Sequence, residues 1–304
     1  QLVSDVPLGT FLSGGLDSSI ISAVAASHFR SLGHQLDTFS VTYTDNQKYF
    51  KTSKFQPTTD EPYIQMMAEF LGSNHHTFVV DNEQLALALK AAVDARDLPG
   101  MADVDSSLLL FCEEIKKHVT VALSGECADE IFGGYLYFPK APDARAFHEE
   151  TVRKISKLHL YDCLRANKSL AAWGIEGRVP FLDTEFLDTA MRIAPEAKRP
   201  RDGRIEKWIL RKAFEDLLPP EIVWRQKEQF SDGVGYGWID SLKAFTEAAV
   251  SDREMAQAAD RFPVNPPRNK EEYYYRTIFE ECFPSQTAAQ CVPAVPSVAC
   301  STAE

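Results

Sequence analysis

Residues 13–19 read Ser-Gly-Gly-Leu-Asp-Ser-Ser, directly after the short apolar stretch 8–12 and just before Ile20, Ile21, Val24 and Ala25 at helical spacing. In that order the segments are a strand, a tight turn and a helix. A turn of glycine and serine at such a junction offers backbone N–H groups, hydroxyls and the positive end of the helix, with little side-chain bulk to block a phosphate chain. A second turn, residues 124–130, reads Ser-Gly-Glu-Cys-Ala-Asp-Glu and follows Val119-Thr120-Val121-Ala122-Leu123, the clearest buried strand of the chain. Two turns of this kind at strand ends mark the place where an α/β sheet binds a nucleotide.

Outward from these turns the alternation continues. Residues 38–43 are rich in β-branched and aromatic side chains and read as a strand. Ile64, Met67, Ala68 and Leu71 fall at i, i+3, i+4 and i+7 with Gly72 as the helix stop, and residues 76–80 read as a third strand. A helix over 82–95 is capped by Asp81 or Asn82, and residues 108–117 read as another helix. Strands alternating with helices at this rhythm imply an α/β fold, a mainly parallel doubly wound sheet over residues 1–142. Beyond it, amphipathic helices over 148–173, 184–193 and 206–217 form a helical region spanning 143–260. Residues 261–304 form a proline-spaced tail whose end, 291–304, is expected to be poorly ordered. The polar stretch 44–59, with Lys48, Lys51 and Lys54, reads as a mobile loop and a candidate lid.

Lys and Arg total 32 against 44 for Asp and Glu, a formal charge of -12, which opposes long-range attraction to nucleic acid or anionic membranes. No apolar run approaches the roughly 20 residues of a membrane span, and no start resembles a signal peptide, so a cytoplasmic location is expected. Cys112, Cys127, Cys163, Cys282, Cys291 and Cys300 form no C-x-x-C pair and read as free thiols. His75 and His76 have no second ligand cluster nearby in sequence and read as structural; the group Arg199, Arg201 and Arg204 reads as a solvated face.

The carboxylate of Asp17 in the first turn would repel a phosphate unless a cation lay between them, which argues for magnesium. The lysine of a Walker A loop is absent, so a nucleotide is held differently from that in a P-loop ATPase. Ser-Gly-Gly-x-Asp-Ser instead resembles the pyrophosphatase loop of enzymes that cleave ATP between its α and β phosphates and adenylate a substrate. Three longer stretches are similar to signatures of the asparagine synthetase family: residues 122–135, Ala-Leu-Ser-Gly-Glu-Cys-Ala-Asp-Glu-Ile-Phe-Gly-Gly-Tyr; residues 173–183, Trp-Gly-Ile-Glu-Gly-Arg-Val-Pro-Phe-Leu-Asp; and residues 224–233, Trp-Arg-Gln-Lys-Glu-Gln-Phe-Ser-Asp-Gly. They occur in the family's order, and the likeness covers nearly the whole chain.

The resemblance implies an adenine nucleotide α-hydrolase-like fold with ATP as substrate and magnesium as cofactor. It implies adenylation of the aspartate side-chain carboxylate, then displacement of AMP by ammonia to give asparagine. On its pattern Leu12, Val41, Ser124 and Gly125 contact adenosine, while Ser13, Gly14, Gly15, Asp17, Ser18 and Ser19 hold the phosphates. Asp17 and Asp129 ligate magnesium, Lys227 reaches the reacting phosphate, and Glu126 assists adenylate formation and takes a proton from the attacking ammonia. Relatives that close β-lactam rings carry tyrosine at the position of Glu126, so glutamate favours asparagine formation. A β-lactam-forming relative and an ATP-binding half-enzyme without turnover are the alternatives.

Complete members of the family begin with a glutaminase domain whose N-terminal cysteine attacks glutamine. The first cysteine here is Cys112, so that domain is expected outside this chain as a partner, leaving free ammonia as the nitrogen source; a homodimer is the candidate assembly. Residues 99–107, Pro-Gly-Met-Ala-Asp-Val-Asp-Ser-Ser, depart from the family's pattern, in which threonines and an arginine help hold aspartate. The aspartate contacts are therefore not carried over.

Overall fold

The computed structural model describes residues 1–44, 59–201, 203–226 and 236–293. Its centre is a sheet of five strands, β1 (Leu8–Phe11), β2 (Asp37–Tyr43), β3 (Asn74–Val80), β4 (Val121–Leu123) and β5 (Glu176–Arg178), in the order β3-β2-β1-β4-β5. Every pairing is parallel, with Phe11 opposite Phe39, Thr10 opposite Leu123, Tyr43 opposite Val80 and Ala122 opposite Gly177. An all-parallel sheet needs cover on both faces, and the alternation of side chains supplies it. Leu8, Val121 and Leu123 pack with Ile20 and Ala25 of helix α1 (Leu16–Ser31) and Met67 and Leu71 of α2 (Glu61–Leu71). Phe39 and Ala122 pack on the other face, with Leu108, Phe111 and Ile115 of α4 (Ala102–Ile115) and with Ala166 and Leu170 of α7 (Asp162–Ala172). Helix α3 (Asn82–Arg96), capped by Asp81 through a reciprocal bond with Gln84, lies between the second strand pair and the C-terminal helices.

Three expectations change. The single helix over 148–173 is two: α6 (Ala144–Lys157) and α7, separated by a 3-10 turn, Leu158–Leu160, and by Tyr161 at φ -126, ψ -112. The break serves two partners, because α6 buries only Phe147 and Thr151 near α5 (Ala128–Phe132), whereas α7 must lay Ala166 and Leu170 on the sheet. The helix over 206–217 shortens to Trp208–Ala213, since Lys207 sits in the left-handed region at φ 57 and cannot begin it earlier. Strand β5 comes from the stretch expected to be helical; Glu-Gly-Arg has no apolar residue to announce an edge strand.

Within the expected tail, Lys270–Cys282 is a helix that buries Tyr275 and Phe279 against α3 and against the helix Tyr236–Ala249. The end of the tail from 294, and nearly all of the 44–59 loop, lie outside the described residues. Arg199 is half-buried rather than solvated, donating to the carbonyls of Ala141 and Pro142.

Candidate active site

Strand order reverses between β1 and β4, and the two quoted turns leave the carboxyl ends of those strands. A doubly wound sheet forms its crevice at such a switch point. The first turn is ordered by its own hydroxyls. Ser18 Oγ accepts from the Ser13 N–H at 3.1 Å, lies 2.9 Å from Ser13 Oγ and donates to the Gly15 carbonyl at 3.2 Å. Gly15 is the N-cap of α1 with extended backbone and no side-chain cap, so the first turn of a 16-residue helix keeps its N–H groups for another acceptor. Gly14 takes φ 70 and lies against the backbone of Tyr63 and Ile64, where a side chain has neither the conformation nor the room.

The second turn approaches the first so closely that a β-carbon on Gly125 would lie 2.7 Å from the Ser18 nitrogen. Glycine at 125 is therefore what lets the two turns meet. Ser124 Oγ accepts from the Glu126 N–H at 3.2 Å, and Glu126, 28% exposed, turns its carboxylate toward Arg165 Nη2 at 4.0 Å. Cys127 follows at φ 78, its sulfur 3.3 Å from that of Cys163; the described cysteines are free.

One cavity of about 470 Å³ joins these parts. Leu12, Ser13, Gly15, Asp17, Ser18, Val41, Ser124, Gly125, Glu126 and Asp129 all line it. Gly14 and Ser19 do not; Ser19 is wholly buried beneath the turn. Lys227 lies outside the described residues. Its neighbours Arg225 and Gln226 do line the cavity, and Arg225 grips the first turn. It donates to the Gly14 carbonyl at 3.2 Å, pairs with Asp60, and stacks its guanidinium 3.9 Å over the Tyr63 ring.

Sequence reasoning missed Lys207 altogether. Its ammonium, 0% exposed, is 2.5 Å from an oxygen of Asp17 and 2.5 Å from an oxygen of Asp129. The other Asp17 oxygen, Oδ1, is buried without a hydrogen-bond partner. Hard carboxylate oxygens, one of them unsatisfied, fit magnesium, which uses one or two carboxylates and takes its remaining ligands from water and phosphates. Among the described residues no group of three or more His, Cys, Asp or Glu is arranged to hold a metal by itself.

The far wall was missed as well. Arg96, 6% exposed, sends Nη1 to both oxygens of Asp105 at 2.8 and 2.6 Å, while its Nε is buried without a partner. Burial pushes the Asp105 carboxyl up to about 6 against the pull of Arg96 and Arg165. Arg165 binds Asp162 at 2.8 Å, and Tyr135 O–H donates to Glu130 and to Asp162 at 3.2 Å. Arg96, Tyr135, Asp162 and Arg165 line the cavity. The signal for them existed: Arg96 extends the stripe Leu89, Ala92, Val93, and Lys207 and Arg211 fall in step with Leu210 and Phe214. A charge on an apolar stripe is a candidate for a buried site. His75 and His76 stay on the strand edge, bonded to Thr38, Ser40 and Asp37.

Fold and crevice together define an α/β protein of the doubly wound class with a Gly/Ser turn facing a carboxylate-bearing turn. A family model described as asparagine synthase matches residues 1–145 and 139–298. Asparagine synthetase [glutamine-hydrolyzing] of Triphysaria versicolor is 48% identical over 318 residues, covering 100% of this chain and 52% of the relative. Asparagine synthetase B [glutamine-hydrolyzing] of Escherichia coli (strain K12) is 47% identical over 307 residues, covering 100% of this chain and 55% of the relative. This chain belongs to the asparagine synthase family, and it spans about half the length of the curated relatives it matches.

Proposed function

We propose that this chain adenylates the side-chain carboxylate of aspartate with ATP and passes the aspartyl group to ammonia, giving asparagine, AMP and pyrophosphate. The observation that carries this reading is the convergence of the Gly/Ser turn, the Asp17–Asp129 pair and Glu126 on one cavity of about 470 Å³. That volume is within the range of small-molecule sites.

In the first step a carboxylate oxygen of aspartate attacks the α-phosphorus, the bond from that phosphorus to the bridging oxygen breaks, and pyrophosphate leaves. The N–H groups of the first turn of α1, with the hydroxyls of Ser13 and Ser18, hold phosphate oxygens; Leu12 and Val41 flank the base, and Ser124 and Gly125 let the nucleoside approach. Lys227 is assigned to the reacting phosphate, where a cation acts on charge that grows in the transition state. Magnesium held by Asp17 and Asp129 would supply further positive charge to the phosphates. Arg96 and Arg165 present guanidinium groups to the carboxylate-bearing end of the amino acid.

In the second step ammonia attacks the acyl carbon and the bond from that carbon to the AMP oxygen breaks. Glu126 takes a proton from the nitrogen. The two relatives are glutamine-hydrolyzing by name, and a glutaminase domain as ammonia source belongs to this proposal.

Aspartate labelled with oxygen-18 in its side-chain carboxylate tests the chemistry. With ATP, magnesium chloride and ammonium chloride, one labelled oxygen passes into AMP and none into pyrophosphate. Formation of ADP and phosphate, or unlabelled AMP beside labelled asparagine only, would sink the reading.

A further inference from the structure

Lys207 is a charge that the fold goes to some length to bury. Enclosing an ammonium costs several kcal/mol unless paired ions offset it, and a left-handed backbone at a lysine adds about 1–2 kcal/mol. Lys207 carries both burdens, with no exposed side-chain surface and φ 57. No β-carbon could be added at Gly134 without striking the Asp129 carboxylate and the Lys207 stem, so the ammonium is held from the side as well.

What the ammonium touches explains the effort. Asp17 comes from the first turn of α1 and Asp129 from α5, two elements that follow different strands, and a third segment delivers the cation between them. Oxygens that share one nitrogen in this way are at most about 5 Å apart, a distance at which two desolvated carboxylates repel strongly. The free lone pairs of Asp17 Oδ1 remain for a further cation.

We propose that Lys207 is a tethered counter-cation, a positioning residue that holds Asp17 and Asp129 at ligating distance before a nucleotide arrives and makes the pair indifferent to free magnesium. The proposal rests on the reading that these two aspartates bind magnesium. With the lysine in place, the two carboxylates and the ammonium leave a single net negative charge, so magnesium enters with its phosphates rather than alone. Without it, two negative charges in a partly desolvated site attract a free divalent ion.

The test is thermal unfolding of metal-stripped intact protein, titrated with magnesium chloride and no nucleotide. Lys207→Met should lower the transition by about 10 °C, as for a buried pair broken on one side, and millimolar magnesium should restore most of the loss while leaving the parent unmoved. Asp129→Asn in the Lys207→Met background should recover stability without metal, because the repulsion is gone; this double variant also serves if Lys207→Met does not fold. Recovery by Asp129→Asn with no response to magnesium would overturn the metal reading and with it the positioning role. Recovery by neither, or a parent as magnesium-responsive as the variant, would overturn the counter-cation itself.

Discussion

The turn after β1 and the wall of Arg96 and Arg165, with Asp105 behind Arg96, belong to the same cavity but are made differently. The turn is contiguous, residues 13–18, with a single charge, the Asp17 carboxylate, already paired with Lys207; its hydroxyls bond to one another and the start of α1 has no side-chain cap. The wall is assembled from α3, α4 and α7: the Arg96–Asp105 ion pair is buried to within 6% exposure, and the buried Arg165 pairs with the partly exposed Asp162. A phosphate chain is the same in every nucleotide and can be recognised by local backbone geometry. The group it reacts with differs from one carboxylic acid to the next, and only side chains brought together from separate helices can tell such acids apart. The turn should therefore be sensitive to bulk and the wall to charge.

The largest expected effect concerns charge in the wall. Arg96→Met should destabilise the protein by about 3–5 kcal/mol, since Asp105 is left buried without its partner, and Arg96→Met with Asp105→Leu should regain most of it. Denaturant melts of the single and double variants measure this; equal losses would mean the pair acts through packing and not charge. Bulk in the turn comes next. Gly125→Val should cut adenylation, read as ATP–pyrophosphate exchange, by at least about 100-fold, because a displacement of the two turns by an ångström spoils alignment. Activity near the parent's would show that the close approach to Ser18 is dispensable.

A smaller effect separates the two regions by substrate. Arg165→Met should raise KM for aspartate about tenfold, the loss of roughly one charge-assisted contact, and leave KM for ATP within twofold. A matching rise for ATP would erase the distinction between turn and wall.

The smallest lies behind the wall. Glu271, bonded to Tyr275 and near Asp103, is pushed up to about 7 by burial, from an ordinary 4.5. The folded state keeps a proton that the unfolded chain has released, so stability falls as pH rises from 4.5 to about 7 and stays at that deficit above. Glu271→Gln should flatten this part of the profile and raise the melting temperature at pH 7.5 by a few degrees. An unchanged slope between pH 5 and pH 7 would assign the titration to other groups.

The same contrast explains what could be read from the chain. Strand, turn and helix around residues 8–25 are written in adjacent residues whose period changes from apolar run to helical stripe, and β2, β3 and β4 are legible for the same reason. β5 is not, because an edge strand of Glu-Gly-Arg is specified by the neighbour it pairs with and by Leu170 beneath Gly177. The break at Tyr161 is invisible to periodicity, since α6 and α7 are each amphipathic and only their different partners require the bend. Glu126 and Asp129 stand inside a motif and are legible there as candidates. Arg96, Arg165 and Lys207 meet only after folding, and reading them needed attention to charges lying on apolar stripes.

β2 keeps company with β1 only as far as Phe39, which faces Phe11, but runs beside β3 to Tyr43. Four residues overhang the end of the shorter strand, a step in the sheet of about 13 Å at the rise of a parallel strand. Val41 and Tyr43 stand on the upper tread and line the cavity, with Phe11 and Leu12 at the foot of the riser. The reach of the pocket is thus counted in strand residues. Shortening β2 by two would take away Tyr43 and its bond to Ser107 while the Gly/Ser turn stayed where it is. On the proposed reading, such a chain would keep its hold on a phosphate chain and lose its measure of what is attached to it.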